Sequence, residues 1–208
     1  MKLSVLASFL LAAGSTSAAD EDKIALVREF PSRIVGGTVA EDGEFPFYTI
    51  PGFGSNSCGA VLIHPDIVLT AAHCQGLWER AETVHIGMNS VTGVDATETI
   101  HVESEHNHPG YNDFTLENDI ALIKLQTASA VDPASWNSDS SLPVDNDELV
   151  VCGFGTTTSG GSSSDVLLKV TVNAVNSDTC VAQYNGEVFP DEMLCAAAPG
   201  KDACQGDS

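Results

Sequence analysis

From Phe45 onward the chain is a succession of short apolar runs, rich in Val, Ile, Thr and Phe, each broken by a cluster of Gly, Pro, Asn or Asp. β-Branched and aromatic side chains suit a pleated, half-buried surface, and the breaking residues suit turns. The runs FPFYTIPGF, GAVLIHPDIVLTAA, TVHIGM, TETIHVES, DIALIKL, ELVVCGF, LLKVTVNAV and EMLCAAA therefore read as strands. The predicted class is all-β. Gln126 to Asp147, with Pro133, Pro143 and many Ser and Asp, lacks periodicity and separates two strand-rich blocks, as a linker would. TTTSGGSSSD, from Thr156 to Asp165, reads as a flexible exposed loop.

Such a chain has material for a core. Of its 208 residues 43% are hydrophobic and 18% charged, a globular composition with room for one or two compact domains. The charge is one-sided, 29 acidic against 8 basic side chains for a net of -21. That excess argues against nucleic acid and an anionic membrane surface as partners, since both demand a basic footprint. Steering of a cationic partner and plain solubility both remain compatible with it.

Residues 1 to 19, MKLSVLASFLLAAGSTSAA, carry one Lys, an apolar stretch from Leu3 to Ala13, and small residues ending at Ala18 and Ala19. This is the layout of a secretory signal peptide, and the apolar stretch is too short to span a bilayer. A secreted, extracellular product without a membrane anchor is expected. Export favours disulfides over metal thiolates for Cys58, Cys74, Cys152, Cys180, Cys195 and Cys204, among which no CxxC pair occurs. No zinc site is expected.

Three groups can carry chemistry together. LTAAHC places His73 just after an apolar run, NDIALIKL places Asp119 at the mouth of another, and GDS supplies a hydroxyl at Ser208. Each alone has an ordinary structural explanation. As a set they are what a nucleophilic serine needs: an imidazole to take the hydroxyl proton, and a buried carboxylate to hold the imidazole in the right tautomer and stabilise its cation.

RIVGG (Arg33 to Gly37), LTAAHC, NDIALIKL, CGFG (Cys152 to Gly155) and KDACQGDS occur in an order and spacing that resemble the chymotrypsin-trypsin family of serine endopeptidases. The resemblance runs from Ile34 to Ser208. It implies two antiparallel Greek-key β-barrels, the first over about 34–130 and the second from about 141, with the active site in the cleft between them. His73 and Asp119 would belong to the first barrel and Ser208 to the second. Gly206 matches the oxyanion-hole glycine, whose amide would act with that of Ser208. Asp202, six residues before the serine, matches the base of the specificity pocket and implies cleavage after Arg or Lys, because a substrate cation is costly to bury without a counter-ion.

The same resemblance implies a zymogen. Residues 20–33 would be an activation propeptide, cut after Arg33 so that the freed Ile34 amine pairs with Asp207 and shapes the oxyanion hole. Activity should then fall in alkali, as that amine loses its proton. Cys58 with Cys74, and Cys180 with Cys195, match family disulfides, whereas Cys204 matches a cysteine whose partner would follow the nucleophile. Cys152 has no evident partner in the family pattern. The calcium loop would fall near Gly87 to Glu98, but Met88 stands where its first carboxylate belongs, so no calcium and no other cofactor is expected. The implied partners are protein or peptide substrates with Arg or Lys, and protease inhibitors, acting on a monomer.

Two readings compete with the active enzyme. Relatives continue past the serine with GGP and further strands, so a chain that stops at Ser208 is expected to be an incomplete record, inactive as it stands, with the second barrel unfinished. A non-catalytic homologue using the scaffold to bind or inhibit another protein is the alternative; loss of a triad residue would favour it, and all three are present. His101, Glu103 and Glu105 would share one face of a strand if alternation held, near His106 and His108, which makes a metal site conceivable and a solvated strand the plainer explanation.

Overall fold

The computed structural model describes residues 37–52, 58–155, 163–184 and 188–199. Ten strands appear in it: β1 (Thr38–Val39), β2 (Tyr48–Pro51), β3 (Ala60–His64), β4 (Ile67–Thr70), β5 (Thr83–Ile86), β6 (Glu98–Asn107), β7 (Ala121–Leu125), β8 (Glu148–Gly153), β9 (Leu168–Val175) and β10 (Cys195–Ala197). Two short helices join them, α1 (Leu77–Ala81) and α2 (Ser177–Gln183). The fold is all-β, as the sequence predicts.

Six strands close a barrel in the order β2-β3-β4-β7-β6-β5, every pair antiparallel. Closure removes both sheet edges and gives each strand two neighbours. Its interior is written in period-two positions: Val84 and Ile86 of β5, Ala121, Ile123 and Leu125 of β7, Leu62 of β3 and Val68 of β4 are all buried. Trp78 of α1, fully buried, plugs the same core. Leu62 has no exposed surface, so Leu62→Ala is expected to lower stability by about 2–5 kcal/mol through lost transfer energy and an unfilled cavity, as measured by chemical denaturation.

The second block builds a four-stranded sheet around β9. Strand β8 takes one edge of β9, from Glu148 against Asn173 to Gly153 against Leu168. Strands β1 and β10 share the other edge, because Leu168 also pairs with Val39 and Asn173 with Ala197. Alternation is clean here: Leu168, Val170, Val172 and Ala174 are buried while the intervening residues are not.

A seam joins the two halves. Tyr48 and Ile50 of the barrel pack with Met88, Phe154 and Leu167, and the rings of Tyr48 and Phe154 meet edge-on with centroids 5.8 Å apart. Backbone bonds run alongside, from Ala40 N to Leu167 O and from Leu167 N to Asn89 O. Met88, where the family's calcium carboxylate would stand, is thus a core side chain. The loop after it is tied by Asp95, whose carboxylate accepts from the backbone amides of Asn89 and Ser90.

The structure differs from the sequence reading in three places. GAVLIHPDIVLTAA is not one strand but the hairpin of β3 and β4, because Pro65-Asp66 turns the chain. The two helices interrupt loops; α2 begins at Asn176, whose side chain accepts from the amides of Asp178 and Thr179. In β6 the register shifts between Val102 and Ser104, so alternation does not carry through to Glu105. His101 and Glu103 face solvent on one side of the bulge, and Glu105 turns toward Gly76.

Candidate active site

His73 sits in a single 3₁₀ turn over Ala72–Cys74, immediately after β4. Both of its neighbours are buried, which points the imidazole outward and fixes its root. A disulfide joins Cys74 to Cys58 across the mouth of the barrel, and Thr70 donates its hydroxyl to Gly59 O beside it. After the turn, Gly76 takes a left-handed φ of 74° and gives its amide to the Glu105 carboxylate at 2.9 and 3.1 Å. The His73 loop is therefore pinned before and after the histidine.

Asp119 stands just before β7, whose pairing with β4 brings it alongside the histidine turn. Its carboxylate holds His73 twice: Oδ1 accepts the His73 amide at 2.8 Å, and Oδ2 meets the ring Nδ1 at 2.7 Å. A carboxylate only accepts, so Nδ1 carries the proton and Nε2 presents its lone pair. The Asp119 side chain is 15% exposed and the His73 side chain 32%. Water reaches the imidazole, while the acid behind it is largely dry.

Burial by itself would push the Asp119 carboxyl up, but the His73 ring, the His73 amide and the Ala72 amide together outweigh it and hold the group below the ordinary carboxylate range. The sign of the linkage follows. Stability from a depressed carboxyl is present above its unfolded value of about 3.9 and is lost as pH falls through the folded value. Wild-type protein is thus expected to lose stability more steeply than Asp119→Asn below about pH 4, in denaturation curves taken across that range. Parallel curves would show that the grip on Asp119 adds nothing. Tyr111 is the nearby group affected in the other direction: burial first, then the Asp119 and Asp113 carboxylates, raise its phenol.

The remaining expected positions divide into two sets. Cys180 and Cys195 are joined, tying the start of β10 to α2. Ser208, Gly206, Asp202, Asp207, Arg33, Ile34 and Cys204 lie outside the described residues. Cys152 is half-buried on β8, packed against the seam with Phe154. The histidines near β6 are engaged one by one: His106 Nε2 with Ser104 Oγ, His101 Nδ1 toward Glu82 O, and His108 Nδ1 accepting from the Gly110 amide. Among the described residues, the three ligand-type side chains whose donor atoms cluster are Cys58, His73 and Cys74, and both sulfurs of that group are in the disulfide. Sequence reasoning considered Glu105 only for a metal face and did not single out Glu192; their partners lie 29 and 74 residues away, where no local pattern points to them.

At the edge of a closed β-barrel, an imidazole oriented by a carboxylate has an Nε2 lone pair that can accept a proton. The trypsin family model matches residues 34–208. Trypsin beta of Drosophila erecta is 38% identical over 191 residues, 88% of this chain and 74% of the relative. Trypsin epsilon of the same species is 36% identical, covering 100% of this chain and 82% of the relative. Trypsin-1 of Astacus astacus is 35% identical over 84% of this chain and 80% of the relative. The chain belongs to the trypsin family of serine proteases, hydrolases that act on protein substrates.

Proposed function

We propose that this protein is a secreted serine endopeptidase, made as a zymogen, that hydrolyses peptide bonds after Arg and Lys. Residues 1–19 serve as its signal peptide, 20–33 as its activation segment and 34–208 as its peptidase domain, acting as a monomer. The Ser208 hydroxyl attacks the scissile carbonyl while His73 Nε2 takes its proton. The amides of Gly206 and Ser208 bind the oxyanion, and the imidazolium is stabilised by Asp119. Collapse breaks the C–N bond, His73 gives the proton to the leaving amine, and a water repeats the sequence to free the acyl group. The observation that supports this most is the two-point hold of Asp119 on His73, which leaves Nε2 as the available base.

The test is hydrolysis of matched peptides by the complete gene product, activated with a cut after Arg33. Peptides with Arg or Lys before the bond are expected to be cleaved far faster than those with Phe or Leu. Asp202→Ser should erase that preference, because a buried substrate cation without its counter-ion costs about 3–5 kcal/mol, between two and four powers of ten in kcat/KM. Equal rates on all four peptides would reject the specificity.

The same specificity turned on the chain itself gives a further expectation. Among the described residues the basic side chains are Arg80, Lys124 and Lys169. Lys124 lies in β7 between β4 and β6, paired with Asp66; Lys169 lies in β9 between β8 and β1, paired with Glu44. Arg80 is held in α1 with Glu79 before it and Glu82 shortly after. A protease takes its substrate as an extended strand, so these bonds are cut only when the fold opens. Self-digestion of the folded domain should therefore be slow, with mass spectrometry finding residues 37–199 intact after prolonged incubation; early cuts at Lys124 or Lys169 would contradict this.

A further inference from the structure

Asp119 is held from behind as well as from the front. The residue before it, Asn118, adopts a left-handed φ of 57°, as does Leu116 two positions earlier. Asn is among the few non-glycine residues that enter that region readily, so its partners fix its geometry there. Three bonds do so at Asn118: its side-chain Nδ2 donates to Gly110 O at 3.1 Å, its carbonyl accepts from the Ile120 amide at 2.8 Å, and its own amide donates to Glu192 Oε2 at 2.7 Å. The first two are local. The third crosses from the barrel to the second half of the molecule.

Glu192 is itself well anchored. It sits in a turn where the amides of Glu192 and Met193 both donate to Phe189 O. Met193 packs on Cys180, Val188 and Cys195, and the Cys180–Cys195 disulfide follows within three residues. The carboxylate is half-buried, where a charge-assisted bond to an amide is stronger than in open water. A rigid post on one half thus grips the backbone amide adjoining the aspartate of the other.

We propose that Glu192 is a positioning residue: by fixing the left-handed Asn118 it sets where Asp119 meets His73, and so couples the docking of the two halves to the alignment of the His73–Asp119 pair. This rests on the catalytic reading of that pair given above. Losing the bond removes the anchor that ties the Asn118 backbone to the second half, and displacement of Asp119 by a fraction of an ångström loosens both of its bonds to His73. The sequence holds no sign of this, since 74 residues separate the partners.

The experiment compares Glu192→Ala and Glu192→Gln in the full-length, activated protein. It reads kcat and KM, thermal unfolding, and the downfield proton resonance of His73 Nδ1–H. Glu192→Ala is expected to lower kcat roughly 10- to 100-fold, the scale of a small misplacement, with KM within about twofold and the His73 resonance broadened or shifted. Glu192→Gln retains an acceptor oxygen and should restore both. If Glu192→Ala keeps kcat and the resonance unchanged, or if Glu192→Gln is as impaired as Glu192→Ala, the inference is overturned. Should Glu192→Ala not fold, Glu192→Asp shortens the reach by one methylene and is expected to show the same loss; an unchanged resonance there overturns the inference equally. The resonance needs no substrate, so a wild type inactive on Arg and Lys peptides would reject the proposed function while the resonance still decides the role of Glu192.

Discussion

Asp119→Asn is expected to lower kcat by about 10⁴-fold while KM changes little, a magnitude taken from the family's best-studied member and not from this geometry. The physical cause is visible here. Both oxygens of Asp119 are in use, one on the His73 amide and one on the ring. An amide offers one acceptor and one donor group, so it cannot serve both N–H groups. If its oxygen keeps the backbone amide, its NH₂ faces Nδ1, and the ring must place its proton on Nε2. The imidazole is then well oriented and in the wrong tautomer, unable to take a proton from a hydroxyl. Steady-state kinetics on an Arg or Lys peptide check this, alongside an unfolding curve near neutral pH to show that the variant folds. A loss smaller than about 100-fold would mean that tautomer control by Asp119 is not what His73 depends on.

The second large effect is expected on stability and activity together. Replacing Cys58 and Cys74 by Ala removes a bridge between residues 16 apart, which in the chain-entropy account contributes about 3 kcal/mol by restricting the unfolded chain. For a protein of this size that is a fall of roughly 6–12 °C in Tm. Cys74 also closes the 3₁₀ turn that carries His73, and it is buried with Ala72 against the barrel core. Activity measured well below the new Tm should therefore fall too, because the turn would then be held by the Thr70, Asp119 and Glu105 hydrogen bonds without its covalent tie to Cys58. An unchanged Tm would show that the barrel and the Glu105 bond hold the segment unaided; unchanged activity would show that β4 and Asp119 suffice to place the ring.

These two effects fall on residues whose type was legible in the sequence and whose geometry was not. The alternation Leu168, Val170, Val172, Ala174 announces β9, and the same period marks β5 and β7, because one buried face imposes a two-residue repeat. Where a local event breaks the repeat, the reading breaks with it. Pro65-Asp66 splits one apparent strand into β3 and β4, and the bulge after Val102 sends Glu105 away from His101 and Glu103 to the amide of Gly76. The imagined metal face on β6 dissolves for that reason. Helices α1 and α2 escaped notice because five and seven residues are too few to display a helical period.

His73 and Asp119 were named from motifs, but nothing in LTAAHC or NDIALIKL states that two oxygens of the one will hold two nitrogens of the other. That follows from β4 pairing with β7 in one register, Thr70 against Ala121, which places the ends of the two runs side by side. Composition, alternation and motif are local properties of a chain, and they determined the strand content, the family and the chemical types available. The tertiary structure alone decided the contacts across 46 residues at Asp119, 29 at Glu105 and 74 at Glu192. The reason is that a contact between distant residues depends on how the barrel closes and how the second sheet docks against it, and both are set by the packing of many side chains at once.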